Sequence, residues 1–209
     1  MFGIHDFWLF LAAGILLHLT PGPDTIYILG RSVAQGREAG IASAFGICVG
    51  SIFHTCAAAL GLSAILATSA IAFGAIKLIG GLYLIFLGCK MIFERRAELS
   101  LPSNFRRRTT AAAFRQGMLT NLLNPKVALF FLAFLPQFIQ STSNARIPAF
   151  VILGLTFVTT GTIWCLILAW FAGAFSERLR NHATITQWLN RSAGALFIFL
   201  GLRLATAKR

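Results

Sequence analysis

Long apolar stretches separated by short polar connections dominate this chain, running over about 7–30, 39–67, 71–92, 116–140, 147–174 and 187–206. A helix needs about 20 mostly apolar residues to cross the hydrocarbon of a bilayer, and each stretch is long enough or nearly so. The expected fold is all-α, a polytopic transmembrane helical bundle of about six spans. Composition agrees: 57% of residues are hydrophobic and only 11% charged, against roughly a quarter charged in soluble domains. About six spans in 209 residues leave no room for a soluble domain, so residues 1–209 are expected to form one membrane domain. Residues 7–17 are almost wholly apolar, yet no Lys or Arg precedes Arg31. A cleaved signal begins with a positive region, so this stretch reads as a retained first span.

The net charge of +12 could point to nucleic acid, but its distribution argues otherwise. Lys90, Arg95, Arg96, Arg106, Arg107, Arg108 and Arg115 fall in or beside one linker, about 94–113, as expected of a cytoplasmic connection. With the N-terminus outside, the cytoplasmic connections carry these seven together with Arg31, Arg37, Arg178, Arg180 and Arg191, and the other side carries five. That bias favours both termini outside; a five-span arrangement with the C-terminus inside remains the alternative. The cysteines Cys48, Cys56, Cys89 and Cys165 lie in apolar stretches without a Cys-x-x-Cys pair or nearby histidine ligands, so they read as small core residues. Neither a metal site nor a cofactor is expected.

The halves of the chain resemble each other. Gly81-Leu-Tyr-Leu-Ile-Phe-Leu-Gly-Cys-Lys90 matches Gly194-Ala-Leu-Phe-Ile-Phe-Leu-Gly-Leu-Arg203 at five of ten positions, an offset of 113. Gly50-Ser-Ile-Phe53 matches Gly161-Thr-Ile-Trp164 at 111, and Gly14-Ile-Leu-Leu-His18 matches Gly117-Met-Leu-Thr-Asn121 at 103. The pattern reads as a three-helix unit written twice, about 1–93 and about 114–209. An odd unit repeated must enter the membrane from opposite faces, the inverted-repeat plan of many secondary transporters.

Two spans carry matching interruptions, Thr20-Pro21-Gly22-Pro23-Asp24 in the first and Asn124-Pro125-Lys126 in the fourth. Proline cannot donate to the carbonyl four residues back, so Leu17, Leu19 and Asn121 are each left with a carbonyl in need of another partner. Unpaired backbone in hydrocarbon survives only where protein, water or ligand satisfies it. The spans are therefore expected to break into half-helices around a polar cavity, with exposed N–H groups that attract a carboxylate. The plain alternative is a pair of proline kinks. Asp24 and Lys126 are the acid and the base deep within these apolar stretches, each costing about 2.5–3.5 kcal/mol at the bilayer centre. Asp24 also reads as a helix cap. Lys126 opposes the dipole of its half-helix and is expected to pair with Asp24, a substrate carboxylate, or both in turn; an acid facing a base suits a zwitterionic amino acid. Thr20 and Asn121 flank the breaks as hydrogen-bonding wall residues, and His18, which borders the first break, is either bonded to a neighbouring helix or part of a proton relay. His54 stands in the stripe Ala42, Gly46, Gly50, His54, Ala58, either bonded to a neighbouring helix or serving in a proton relay. Gly46, Gly50, Gly81, Gly88, Gly194 and Gly201 read as helix-packing positions. The tryptophans, Trp164 among them, read as interfacial or packing residues.

Together the Thr-Pro-Gly-Pro-Asp run, Gly46 to Gly50 with His54, the Gly81/Tyr83/Gly88 pattern, the basic linker and Asn124-Pro-Lys126 resemble the LysE/RhtB family of bacterial amino-acid exporters over almost the whole chain. The resemblance implies a multi-pass protein of the bacterial inner membrane that exports amino acids or close derivatives. It further implies a proton antiporter that uses neither ATP nor a catalytic site. Family members often carry Asn where Asp24 stands, so the acid is expected to tune substrate or coupling. Expected partners are an amino-acid substrate, protons and the bilayer; a homodimer is one compatible assembly. Export of a metal or other small ion, and an intramembrane enzyme, are the competing functions. One buried carboxylate is few for a hard cation, and no His-Glu-x-x-His or two-carboxylate arrangement is present.

Overall fold

A computed structural model describes residues 2–64, 70–93, 109–140, 143, 145–172, 174 and 183–206, and among them every element is helical. The basic linker over 94–108, the connection at 67–69, His182, and Ser141 and Asn144 of the polar connection at 141–145 lie outside the described residues. In chain order the helices are α1 (Phe7–Leu19), α2 (Pro23–Gln35), α3 (Arg37–Ala57, prolonged by a π-helical turn at Ala58–Leu62) and α4 (Ala70–Phe93). There follow α5 (Thr110–Leu122), α6 (Pro125–Leu129, prolonged by π-helical Phe130–Phe134 and 3-10 helical Leu135–Phe138), α7 (Arg146–Trp170) and α8 (Ala183–Thr206).

The boundaries follow local chemistry. Pro21 and Pro23 end α1 and start α2, Pro23 sitting in the first turn where its missing N–H costs nothing. Gly36 closes α2 and opens α3 at φ +90°, a backbone that side-chain-bearing residues rarely adopt. Thr109 caps α5 by accepting the Ala112 N–H. The apolar pattern understated several helices: α5 starts at Thr110, and α2 runs on to Gln35. As a result Arg31 lies inside α2, only 2% exposed, rather than in a connection. Its burial is possible because Tyr27, Gln35 and Gln116 all accept from its guanidinium.

Two helices, Arg37–Leu62 and Arg146–Trp170, are long and apolar enough to cross a membrane, and the bent pairs α1–α2 and α5–α6 raise this to four if each pair is one span. The pairs bend by 46° and 47°, so the two interrupted stretches share one geometry.

Glycines decide how closely the helices approach. A Cβ at Gly46 would overlap the Phe114 carbonyl of α5, one at Gly117 would lie 2.5 Å from the Ser43 carbonyl, and one at Gly50 would lie 2.7 Å from Asn121 Oδ1. From Gly46 against Phe114 the contact advances to Gly50 and His54 against Asn121, so α3 and α5 run parallel. A Cβ at Gly161 of α7 would lie 2.7 Å from His18 Cε1, and one at Gly14 would lie 3.5 Å from Phe157, so α1 and α7 are also parallel. The α4–α8 seam is reciprocal: a Cβ at Gly88 would lie 2.5 Å from the Gly194 carbonyl and 2.7 Å from Ile198 Cγ1, while one at Gly201 would lie 2.6 Å from the Gly81 carbonyl and 2.7 Å from Ile85 Cγ1. Gly88 thus meets Gly194 where Gly81 meets Gly201, so α4 and α8 run antiparallel.

The core has two parts. Phe10, Phe130, Phe131, Phe134, Phe138 and Phe157 form an aromatic cluster, with Phe134 and Phe138 centroids 4.7 Å apart and Phe130 and Phe157 centroids 4.6 Å apart. Tyr27, Ile28, Leu29, Ile47 and Leu168 form the second.

Candidate transport site

Both helix breaks open onto one cavity of about 50 Å³ where the two apolar clusters meet. On a scale where one water needs roughly 10–15 Å³, it holds a few waters. Of the residues singled out by the sequence, His18, Thr20, Gly22, Asp24, Asn121, Asn124 and Lys126 line it. Pro21, Pro23 and Pro125 shape the breaks without lining it, and His54 lies just behind Asn121.

Asn121, 1% exposed, is the hub. Its Nδ2 donates to Asp24 Oδ2 at 2.8 Å, and its Oδ1 accepts from Ser51 at 3.2 Å. Its backbone carbonyl, the one Pro125 cannot serve, accepts from the Asn124 N–H at 3.0 Å and from His54 Nε2 at 3.2 Å. Since a carbonyl only accepts, His54 carries its proton on Nε2 here. His54 also stacks against Phe131. Among the described residues Asp24 Oδ1 is buried without a hydrogen bond of ordinary geometry, although the Asn124 side chain interacts with the carboxyl group, and a buried oxygen in that condition is poised for a donor.

The first break is treated the same way. The Leu17 carbonyl, orphaned by Pro21, accepts from Lys126 Nζ at 2.8 Å, and the Thr20 carbonyl accepts from the same ammonium at 2.9 Å. The sequence offered Asp24, a substrate carboxylate, or both in turn as partners of Lys126; among the described residues its side chain forms no salt bridge with Asp24, and it crosses to the C-terminal end of α1, where a cation suits the helix dipole. The two half-helix N-termini also differ. Asn124 Oδ1 accepts the Lys126 N–H and caps α6, whereas no side chain caps α2, which begins at Gly22 with Asp24 in its first turn.

Several lining residues escaped the sequence reading. Ser51 and Cys48 of α3, and Phe157, Thr162, Trp164 and Cys165 of α7, contribute walls. Trp164 lines the cavity in addition to packing on the second cluster. The internal repeat held a signal for two of them, since Ser51 and Thr162 occupy equivalent positions after Gly50 and Gly161. Among the described residues no group of three or more His, Cys, Asp or Glu is disposed to hold a metal ion.

Apolar helices around a walled polar cavity, two of them long enough to cross a membrane and two apolar stretches bent by 46° and 47°, define an all-helical protein of membrane-spanning character. Residues 15–208 match the LysE type translocator family, and the chain belongs to that family. It is 32% identical over 205 residues to an uncharacterized membrane protein of Vibrio cholerae serotype O1, spanning 98% of both chains. It is 28% identical over 206 residues to the leucine efflux protein of Salmonella typhimurium, spanning 98% of this chain and 97% of that one. The leucine efflux protein of Enterobacter sp. is 27% identical with the same coverage. No solved structure matches.

Proposed function

We propose that this protein is a secondary transporter that exports small amino acids across the bacterial inner membrane by proton antiport. The observation that carries this reading is the cavity shared by the two breaks, where Asp24 presents a buried oxygen without a hydrogen bond of ordinary geometry beside Asn121 and Asn124. An α-ammonium group fits that oxygen, and the uncapped N-terminus of α2 suits a carboxylate. The apolar walls formed by Ile47, Phe157, Val158 and Trp164 accept an uncharged side chain, in keeping with relatives named as leucine efflux proteins. Asp24, as the titratable acid of the cavity, is the proposed proton carrier.

The proposed layout is one domain of about six spans in two inverted repeats, about 1–93 and 114–209, joined by the basic linker on the cytoplasmic side. Reciprocal contacts support it. Exchanging each residue for its repeat counterpart turns the Gly50–Asn121 contact into Gly161–His18, and the Gly201–Ile85 contact into Gly88–Ile198; in each a Cβ added at the glycine would lie 2.7 Å from its neighbour. Antiparallel α4 and α8 agree with third helices that enter from opposite faces. Each has 24 residues, about 36 Å at 1.5 Å per residue, enough for about 30 Å of hydrocarbon.

The direct test is efflux from proteoliposomes loaded with a panel of amino acids and subjected to a pH gradient. Gradient-driven efflux of at least one neutral amino acid is expected, falling at least tenfold in Asp24→Ala. Absence of gradient-driven efflux for every member of the panel would defeat the proposal.

A further inference from the structure

The end of α1 has the form of a cation site. Pro21 strips the Leu17 carbonyl of its helical donor, and Thr20, in an extended conformation at φ −73° and ψ 120°, presents its carbonyl outside the helix. Both oxygens converge on one point at the C-terminal, electronegative end of a 13-residue helix. In carriers built on broken helices, unwound carbonyls and half-helix C-termini are the groups that coordinate a coupling Na⁺. Here that point is filled from within the chain: Lys126 Nζ sits 2.8 Å from the Leu17 oxygen and 2.9 Å from the Thr20 oxygen. Its backbone is fixed by Pro125 and by the Asn124 cap. Lys126 therefore ties the second break to the first and supplies the positive charge in place of a free ion.

We propose that Lys126 is a tethered cation occupying the carbonyl site at the end of α1, so that transport requires no Na⁺ and removal of the ammonium creates a site for a small free cation. The clause on transport rests on the exporter reading above; the clause on the site does not. Water completes the shell of an incoming ion, because Lys126, Thr20 and Gly22 border the cavity. The Leu17 carbonyl released by Pro21 and the Thr20 carbonyl turned out of the helix are otherwise left unsatisfied in a low-dielectric interior, a strong incentive to recruit any small cation that fits.

Two measurements test this on the full chain. In proteoliposomes, replacing Na⁺ by choline on both sides is expected to change wild-type amino-acid efflux less than twofold; a tenfold loss would overturn the proposal. In detergent, the melting of wild type and of Lys126→Ala is compared in sodium, ammonium, methylammonium and choline chlorides at equal ionic strength. The variant is expected to melt at least about 3 °C higher in one of the small cations than in choline, with the wild type unmoved, because an ion that binds only the folded site stabilises it. Equal melting of the variant in all four salts would overturn the proposal. If Lys126→Ala yields no folded protein, Lys126→Met, which keeps the chain length without the charge, takes its place. Wild type that exports no amino acid in either salt counts against the exporter reading, while the melting comparison still decides the cation site.

Discussion

Asn121 shows how much one side chain holds in place. It links α5 to Asp24 on α2 and to Ser51 and His54 on α3. Asn121→Ala removes the donor to Asp24 and the acceptor for Ser51. A buried polar group left unpaired costs about 1–3 kcal/mol, so the variant is expected to lose roughly that in stability and at least tenfold in efflux, checked by thermal melting and proteoliposome flux. Asn121→Asp is expected to be worse than alanine, because it sets a second carboxylate against Asp24 in a low-dielectric site. Ser51→Ala, which removes one long bond, is expected to cost less than either. At this scale the sequence was half legible. Asn121, Asn124 and Lys126 declared themselves because polar groups beside prolines in apolar stretches are conspicuous. The partner of Lys126 did not: its acceptors are backbone carbonyls, which every residue has, and only the fold decides which of them converge. Ser51 and Thr162 were hidden for the opposite reason, since a single hydroxyl in an apolar stretch can also bond its own helix, as Thr162 does to Val158.

Among the elements, tight helix seams and broken helices make different demands. Along α3, Gly40, Gly46 and Gly50 leave no room for a Cβ, the first against Ser32 and the others against α5, whereas nothing lies within 4 Å of a Cβ at Gly61 or Gly74. Gly46→Leu is expected to force α3 from α5 and destabilise by at least about 1–3 kcal/mol, the range for overpacking. Gly61→Ala is expected to be neutral or slightly stabilising, since alanine favours helix by about 1 kcal/mol over glycine. Melting of the two purified variants beside wild type checks the contrast, and equal stability would contradict the seam. For the breaks, Pro125→Ala restores an N–H able to reach the Asn121 carbonyl in competition with His54. The 47° bend should relax, with efflux falling at least tenfold while the protein still folds. The small-residue spacing on α3 and the prolines were readable because periodicity and missing donors are written in the residues themselves. The ends of the helices were not, because Arg31 looked like a loop charge until Tyr27 and Gln116 were seen to receive it.

At the scale of the molecule, the proposed transport path gives the cavity two unlike closures. On one flank Tyr27, Arg31 and Gln35 of α2 bond to one another and to α5, through Gln116 and the Ala113 carbonyl. On the other, Phe10 of α1 stacks with Phe134, tilts against Phe130 and meets Phe138 edge-on. One flank is thus held by hydrogen bonds and the other by aromatic rings. A polar closure belongs where water and basic residues are plentiful, and an aromatic one suits the opposite face. The charge bias expected from the sequence predicts the polar closure on the cytoplasmic side. The turn at Glu38 adjoins the polar closure, and His5, whose N–H bonds the Phe138 carbonyl, adjoins the aromatic one. In a background with the native cysteines replaced, Glu38→Cys should react with a membrane-impermeant maleimide only in inside-out vesicles, and His5→Cys only in intact spheroplasts. The opposite pattern would invert the assignment of the two closures, and labelling of both from one face would show that they do not guard opposite ends of a path. With the faces assigned, Arg31→Ala is expected to raise uncoupled leak of substrate from vesicles loaded with amino acid, because it unties α2 from α5 without touching Asp24 or Lys126. Phe134→Ala is expected to do the same from the other end, and a variant with both changes should leak far more than the sum of the two, since a path with one closure intact is still shut.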